Sequence, residues 1–278
     1  MENSTDITPL ILTYNEAPNI VRNLEKLRWA KRIVVIDSFR TDETLSLIAQ
    51  FTQVEVYQRK FTSFADQCNF GLQQIKSEWV LSLDCDYILD DSIVQSMLNL
   101  SLNGNETAAY SARFKYAIQG KALRGSMYPP RKVLYAREKA HYIDDGHGHA
   151  VVIEGNVKHL DGFILHDDRK SFSHWLASQD RYLQKESEKL TNTPFKQLKW
   201  TDKLRWLVVP APFFALFYCL ILKGGILDGK HGWFYAMQRV LAETLLSIRL
   251  TEVRLDKMQE KKKPRFQPSS SIIRMFRF

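Results

Sequence analysis

An α/β fold built on a mostly parallel, doubly wound sheet is what this 278-residue sequence predicts. Short apolar, β-branched runs alternate with segments of helical apolar spacing through the first 84 residues. Three of those runs end in acidic or amide side chains: Asn15 and Glu16, Asp37, and Asp84 with Asp86. Alternation of this kind implies parallel strands joined by right-handed crossovers, and open α/β sheets take their ligands at the carboxyl ends of the strands.

Taken in order, Ile7 to Thr13 is a strand ending in Thr13-Tyr14-Asn15-Glu16, after which Ile20, Leu24 and Leu27 recur at helical spacing. Ile33 to Ile36 is β-branched throughout and stops at Asp37-Ser38, and Thr41-Asp42-Glu43-Thr44 opens a second helix through Ala49. Val54 to Tyr57 is a third strand, Phe64 to Ile75 a third helix and Trp79 to Leu83 a fourth strand. Residues 90–100 read as a capped helix, and Thr107 to Ile118 and Arg131 to Ala136 as strands of an added sheet. Residues 141–169 read as a loop holding five of the seven histidines, with a strand from Gly162 to Leu165 before His166. A helix follows from Ser171 to about Leu190.

The C-terminal part changes character. Residues 206–222 carry no charge, but a helix of that length reaches only about 25 Å against a hydrocarbon core of about 30 Å, and Pro210 and Pro212 interrupt it. A second helix, at residues 233–250, would place Trp233, Met237, Val240, Leu241, Leu245 and Ile248 on one apolar face, with Gln238, Arg239, Glu243 and Arg249 elsewhere. The tail, residues 254–278, holds eight basic and two acidic residues. Apolar and amphipathic helices beside a basic tail predict an interfacial attachment to an anionic membrane surface. The expected divisions are therefore an α/β domain at 1–198, with a regular half at 1–100 and a less regular half at 101–198, a membrane-associated part at 199–253 and a basic tail at 254–278.

The net charge of +8 favours phosphorylated or anionic partners, and its concentration in the tail, without interleaved aromatics on a sheet, argues against nucleic acid. Cys68, Cys85 and Cys219 lie far apart, so neither a disulfide framework nor a zinc site is expected. The opening residues have no basic or apolar leader pattern, so no signal peptide is expected. Asp84 and Asp86, at i and i+2 beyond a buried strand, can both reach one hard divalent cation that also holds a diphosphate.

Thr-Tyr-Asn-Glu, Val-Val-Ile-Asp-Ser with Thr41-Asp42-Glu43-Thr44, Asn69-Phe70-Gly71-Leu72 and Leu-Asp-Cys-Asp follow in an order and spacing that resembles the family 2 glycosyltransferases, inverting enzymes of GT-A fold. Residues 223–230, Lys-Gly-Gly-Ile-Leu-Asp-Gly-Lys, resemble the branch that builds lipopolysaccharide core. The resemblance implies a nucleoside-diphosphate-sugar donor, a UDP-sugar by expectation, cradled by Thr13, Tyr14, Asn15 and Glu16. Asp37 would accept from the uracil, and Asp66, Asn69 and Asp84 would also touch the donor. It implies Mg²⁺ or Mn²⁺ on Asp84, Asp86 and His166, and Asp145 as the base, with Asp144 and His147 open as alternatives. The acceptor would be a lipid-linked or envelope saccharide at the cytoplasmic face of a membrane. Phe39-Arg40 replaces the small residues usual after Asp37-Ser38, and the motif of processive synthases is missing, which favours single addition. A nucleotidyltransferase is the rival enzyme, but it would want a glycine-rich phosphate loop that residues 13–20 lack. A non-catalytic membrane-bound interaction protein is the other rival, and the intact acidic set argues against it.

Overall fold

The computed structural model describes residues 6–102, 106–124, 128–145 and 148–262, and its first half alternates strand and helix as predicted. Strands β1 (Ile7–Thr13), β2 (Ile33–Asp37), β3 (Val54–Gln58) and β4 (Trp79–Asp84) are joined by α1 (Ile20–Glu25), α2 (Thr44–Ile48) and α3 (Phe64–Gln74). They lie parallel in the order β3-β2-β1-β4. Every residue of β2 is buried, as expected of a strand covered on both faces, while the edge strand β3 is partly exposed.

Beyond β4 the sheet becomes mixed. β4 pairs antiparallel with β8 (Arg131–Ala136), which pairs antiparallel with β6 (Thr107–Ile118). β6 runs parallel to β11 (Asn156–His166), and β11 pairs antiparallel with β5 (Tyr87–Leu89). The two-residue β7 (Lys121–Ala122) folds back on β6. Helix α4 (Asp91–Leu98) begins where the Asp90 carboxylate accepts from the Ser92 amide at 2.9 Å, and Ile93 and Met97 bury its inner face.

Two expectations for the middle of the chain are corrected. The histidine-rich segment is mostly strand: β9 (Ala140–Asp145) and β10 (Gly148–Ile153) form a hairpin, and β11 begins at Asn156 and not at Gly162. The hairpin is fastened to α3 through the Asn69 side chain, which donates to the Tyr142 carbonyl and accepts from the Tyr142 amide, each at 2.9 Å. A sheet-like bond pair supplied by a helix side chain replaces the long apolar run that a strand ordinarily shows.

The remainder is helical: α5 (Phe172–Asn192), capped by Ser171, then α6 (Trp200–Trp206), α7 (Pro210–Phe217) with a π turn at Tyr218–Leu222, and α8 (Lys230–Lys262). α8 is longer than predicted, and its apolar face is turned outward. Trp233, Met237 and Ile248 point outward, whereas Gln238, Glu243 and Ser247 are buried with Ala236, Ala242, Leu246 and Leu250. The reason is Arg205, whose guanidinium lies 2.8 Å from Glu243, 3.4 Å from Glu186 and 3.8 Å from Asp202. A buried charge needs such partners, and meeting that need turns the polar side of α8 inward. Leu220, Tyr235 and Ala236 close against Leu123 and Tyr116 of the sheet. The approach of α8 to the preceding turn requires glycine: a Cβ on Gly232 would stand 1.9 Å from the Gly225 carbonyl oxygen. Among the described residues no helix is long and apolar enough to cross a membrane.

Candidate active site

β4 delivers Asp84 to the rim, and the turn after it delivers Asp86. Between them Cys85 is buried with its Sγ 3.4 Å from the Leu12 carbonyl, which pins the turn to β1. Burial pushes the Cys85 thiol far up, so it stays protonated. Asn23 donates to the carbonyls of Asp84 and Tyr87 at 3.2 and 2.8 Å, holding the same turn from α1.

The β5–β11 pairing sets Tyr87 opposite His166 and so brings His166 to Asp86. His166 Nε2 lies 2.9 Å from Asp86 Oδ2, and the imidazole sits among the rings of Tyr116, Tyr128 and Tyr87 at centroid distances of 4.7, 4.8 and 5.4 Å. Burial opposes the charge on both groups. The attraction between them and the hydrogen bond they share outweigh it, so Asp86 is held below and His166 above its ordinary range. Asp86 Oδ1 and His166 Nδ1 are buried without a partner. Among the described residues no group of three His, Cys, Asp or Glu side chains is arranged to hold a metal ion. The unpaired Asp86 oxygen, with Asp84 on the same rim, is the kind of hard donor that suits a divalent cation taking most of its ligands from diphosphate and water.

On the other side of β4, Thr13 and Asp37 face each other in register, and the Thr13 hydroxyl donates to Asp37 Oδ1 at 3.1 Å. Asp37 is fully buried, and its Oδ2 accepts from Gln58 at 3.1 Å and from Arg40 at 3.4 Å. The departure at Phe39-Arg40 thus has a structural consequence: Phe39 takes a φ of 55° and is exposed, and Arg40 folds back over the carboxylate expected to meet the base. Asn15, also at φ 55°, accepts from the Thr41 amide at 2.8 Å, and Tyr14 is exposed beside it. Glu16 pairs with Lys170, and burial raises its carboxyl to about 7 in spite of that cation. Asp66, in the first turn of α3, is held by Arg59 and Thr62. Asn69 donates to the Tyr142 carbonyl and accepts from the Tyr142 amide, tying the hairpin to the helix that carries Asp66.

A cavity of about 300 Å³ opens between the end of β4, the start of β8 and the β9–β10 hairpin, lined by Asp84, Tyr87, Arg131, Lys132, Tyr142 and His149 among others. Burial lowers the His149 imidazole, with Arg131 adding to the effect and Asp84 and Asp144 opposing it. Asp144 pairs directly with His149, and directly opposed residues share a face of a hairpin. Asp144 therefore lies on the cavity side. Asp145 pairs with Gly148 at the hairpin tip, and His147 lies outside the described residues. Of the cavity residues, Tyr87, Arg131, Tyr142 and His149 were not anticipated as functional. They are brought together by strand pairing, and the only sequence signal was the β-branched run at residues 151–153 that marks β10.

The family model described as "Glycosyl transferase family 2" matches residues 10–155, just over half of the chain and the stretch that carries every one of these residues except His166 and Lys170. The chain belongs to glycosyl transferase family 2. Family 2 relatives include the lipopolysaccharide core biosynthesis glycosyltransferase LpsC of Rhizobium meliloti (strain 1021), 26% identical over 174 residues, which are 58% of this chain and 62% of that protein. An uncharacterized glycosyltransferase of Rickettsia bellii (strain RML369-C) is 26% identical over 113 residues, 40% of this chain and 38% of that one. The matches thus span less than two thirds of either relative's length. Among solved structures, S. aureus TarS 1–349 in complex with UDP-GlcNAc has a TM-score of 0.46 at 13% identity, covering 86% of this chain and 81% of that one. The mannosyltransferase PcManGT from Pyrobaculum calidifontis, in complex with GDP-Man and Mn²⁺, has a TM-score of 0.45 at 16% identity, with coverages of 92% and 88%.

Proposed function

We propose that this protein is a metal-dependent, inverting, non-processive glycosyltransferase of GT-A type that moves one sugar from a nucleoside-diphosphate sugar, UDP-linked by expectation, to a lipid-linked or envelope saccharide. The observation that carries the reading is the convergence of Asp84, Asp86 and His166 on one sheet rim, in a family 2 chain, beside a cavity roofed by an acidic hairpin. The donor would lie across the rim, with the loop from Thr13 to Glu16 and Asp66 on its nucleotide side, and Asp37 beneath the base once Arg40 yields. The acceptor would enter the cavity.

The acceptor oxygen forms its bond to the anomeric carbon as the bond to diphosphate breaks on the opposite face, so configuration inverts, and a hairpin carboxylate takes the hydroxyl proton. Asp144 is supported by its cavity-side register, and Asp145 by the family resemblance. Mg²⁺ or Mn²⁺ held by Asp84, Asp86 and His166 would supply neutralisation of the charge that grows on the leaving diphosphate. The outward apolar surface of α7, the turn at Gly225–Asp228 and α8, with Phe213 at 72% and Leu227 at 69% exposure, supports attachment to the cytoplasmic face of a membrane.

A panel of nucleotide sugars, screened for release of nucleoside diphosphate with a saccharide acceptor mixture, tests the reading. One donor should be cleaved, with loss of release in EDTA and recovery with Mn²⁺. Asp144→Asn and Asp145→Asn should separate the two base candidates, since the true base abolishes turnover and leaves UDP binding unchanged. Undiminished release in EDTA would remove the metal from the mechanism, and no release from any donor would remove the function.

A further inference from the structure

We propose that the acceptor of this enzyme is anionic, carrying a phosphate or carboxylate near the hydroxyl that is glycosylated, and that Arg131 and Lys132 receive that group. The proposal rests on the glycosyltransferase reading above and adds the chemical class of its acceptor. The cavity beside Asp84 has four side chains that can carry charge: Asp84, Arg131, Lys132 and His149. Asp84 belongs to the donor and metal side, and His149, pressed toward its neutral form by burial, contributes little charge. The acceptor side of the cavity is therefore left with two cations and, on the hairpin, the Asp144 carboxylate.

Those cations are not consumed by the fold. Arg131 donates to the Tyr87 hydroxyl at 3.2 Å, and its guanidinium lies 4.9 Å from the centre of the Tyr128 ring. Both are contacts with neutral groups. Lys132 Nζ reaches only the Val151 carbonyl, at 3.5 Å, and among the described residues neither side chain lies within ion-pair distance of a carboxylate. Elsewhere in the molecule the partly buried arginines are answered: Arg205 by Glu243, Arg22 and Arg169 by Asp167, Arg40 by Asp37. Arg131 is exposed, yet it is held between two tyrosines that are themselves hydrogen-bonded to each other. A planar fork fixed in that way, with its remaining N–H groups toward a cavity, is suited to bidentate recognition of a phosphate or carboxylate. With Asp84 turned to the donor and metal side and the hairpin carboxylate free to take the hydroxyl proton, a neutral saccharide would leave neither cation paired, whereas an anionic one supplies a direct partner.

The test uses the full chain in detergent with UDP and Mn²⁺ at saturation, so that the donor subsite is filled. Glucose, glucose 6-phosphate and glucuronate are titrated by calorimetry. Either charged sugar should bind about tenfold or more tightly than glucose, and which of the two does so identifies the anion as phosphate or carboxylate. Arg131→Met and Lys132→Met should each reduce that preference, Arg131→Lys should restore part of it, and the affinity for UDP and Mn²⁺ should stay within about twofold of wild type. Equal binding of all three sugars by a protein that binds UDP overturns the proposal and leaves the glycosyltransferase reading standing. A parallel loss of UDP affinity in Arg131→Met assigns the arginine to the donor and also overturns it. Failure of the wild-type protein to bind UDP or any other nucleoside diphosphate removes both.

Discussion

Asp86 has one carboxylate oxygen on His166 and the other buried without a partner, an arrangement that costs stability unless something else uses the open oxygen. Asp86→Asn should therefore fold and still lose transfer by roughly a thousandfold or more, since it removes several kcal/mol of leaving-group stabilisation. Single-turnover assays and calorimetry with UDP and Mn²⁺ read this directly, and unchanged Mn²⁺-dependent UDP binding would detach Asp86 from the metal. The same pair sets a pH window for the metal-free protein. Asp86, ordinarily near 3.8, is depressed by folding, so its contribution is present above that value and is lost as pH falls through the lower folded value. His166, ordinarily near 6.5, is raised, so its contribution is complete below that value and is lost as pH rises through the higher folded value. In EDTA, the melting-temperature difference between wild type and His166→Gln should be largest between about pH 4 and 6.5 and should shrink above it. Mn²⁺ affinity should rise over the same upper range, because ligation displaces the imidazole proton. A difference that does not vary with pH would show that the pair contributes no linked charge.

At the scale of elements, the backbone of the β9–β10 hairpin is tied to α3 by the Asn69 side chain. Asn69→Ala removes both bonds to the Tyr142 peptide and leaves that amide and carbonyl unpaired. The expected cost is about 1–3 kcal/mol, with a drop in turnover larger than the drop in UDP affinity. Denaturant melts and steady-state kinetics check both halves, and unchanged kcat with intact stability would mean that the hairpin is held by other contacts. This element also shows where the sequence stops being legible. β1 to β4 were readable because their apolar runs are buried by the chain's own alternation, and the strand ends Asp37, Asp84 and Asp86 followed from them. The hairpin's His- and Asp-rich strands gain their order from Asn69 and Phe64, which lie 73 residues or more away in sequence, and from Tyr135 on the strand before them. β5 is three residues long and owes its existence to β11. The cavity could not be read because Arg131 and His149 meet only once those pairings exist. Periodicity likewise found the outward apolar face of α8 but could not see that Arg205 would claim Glu243 on its buried side.

For the whole molecule, an outward apolar surface on α7 and α8 together with a net charge of +8 predicts attachment to anionic vesicles with a salt-sensitive part. The combined substitution Phe213→Ser, Phe217→Ser and Leu227→Ser should release most of the protein in vesicle sedimentation at high salt without lowering its melting temperature, since all three are more than half exposed. Sedimentation equal to wild type would reassign this surface to a protein partner. Surface substitution is the right instrument because the helices cannot simply be cut away. Tyr235 of α8 lies 4.9 Å from Tyr116, ring centre to ring centre, and Tyr116 lies 4.7 Å from His166. The helix that would meet the lipid thus supplies the outermost pane of the histidine's insulation. A chain ending near residue 199 would admit water behind the imidazole, and its failure to transfer sugar would report a flooded metal pocket as much as a lost address.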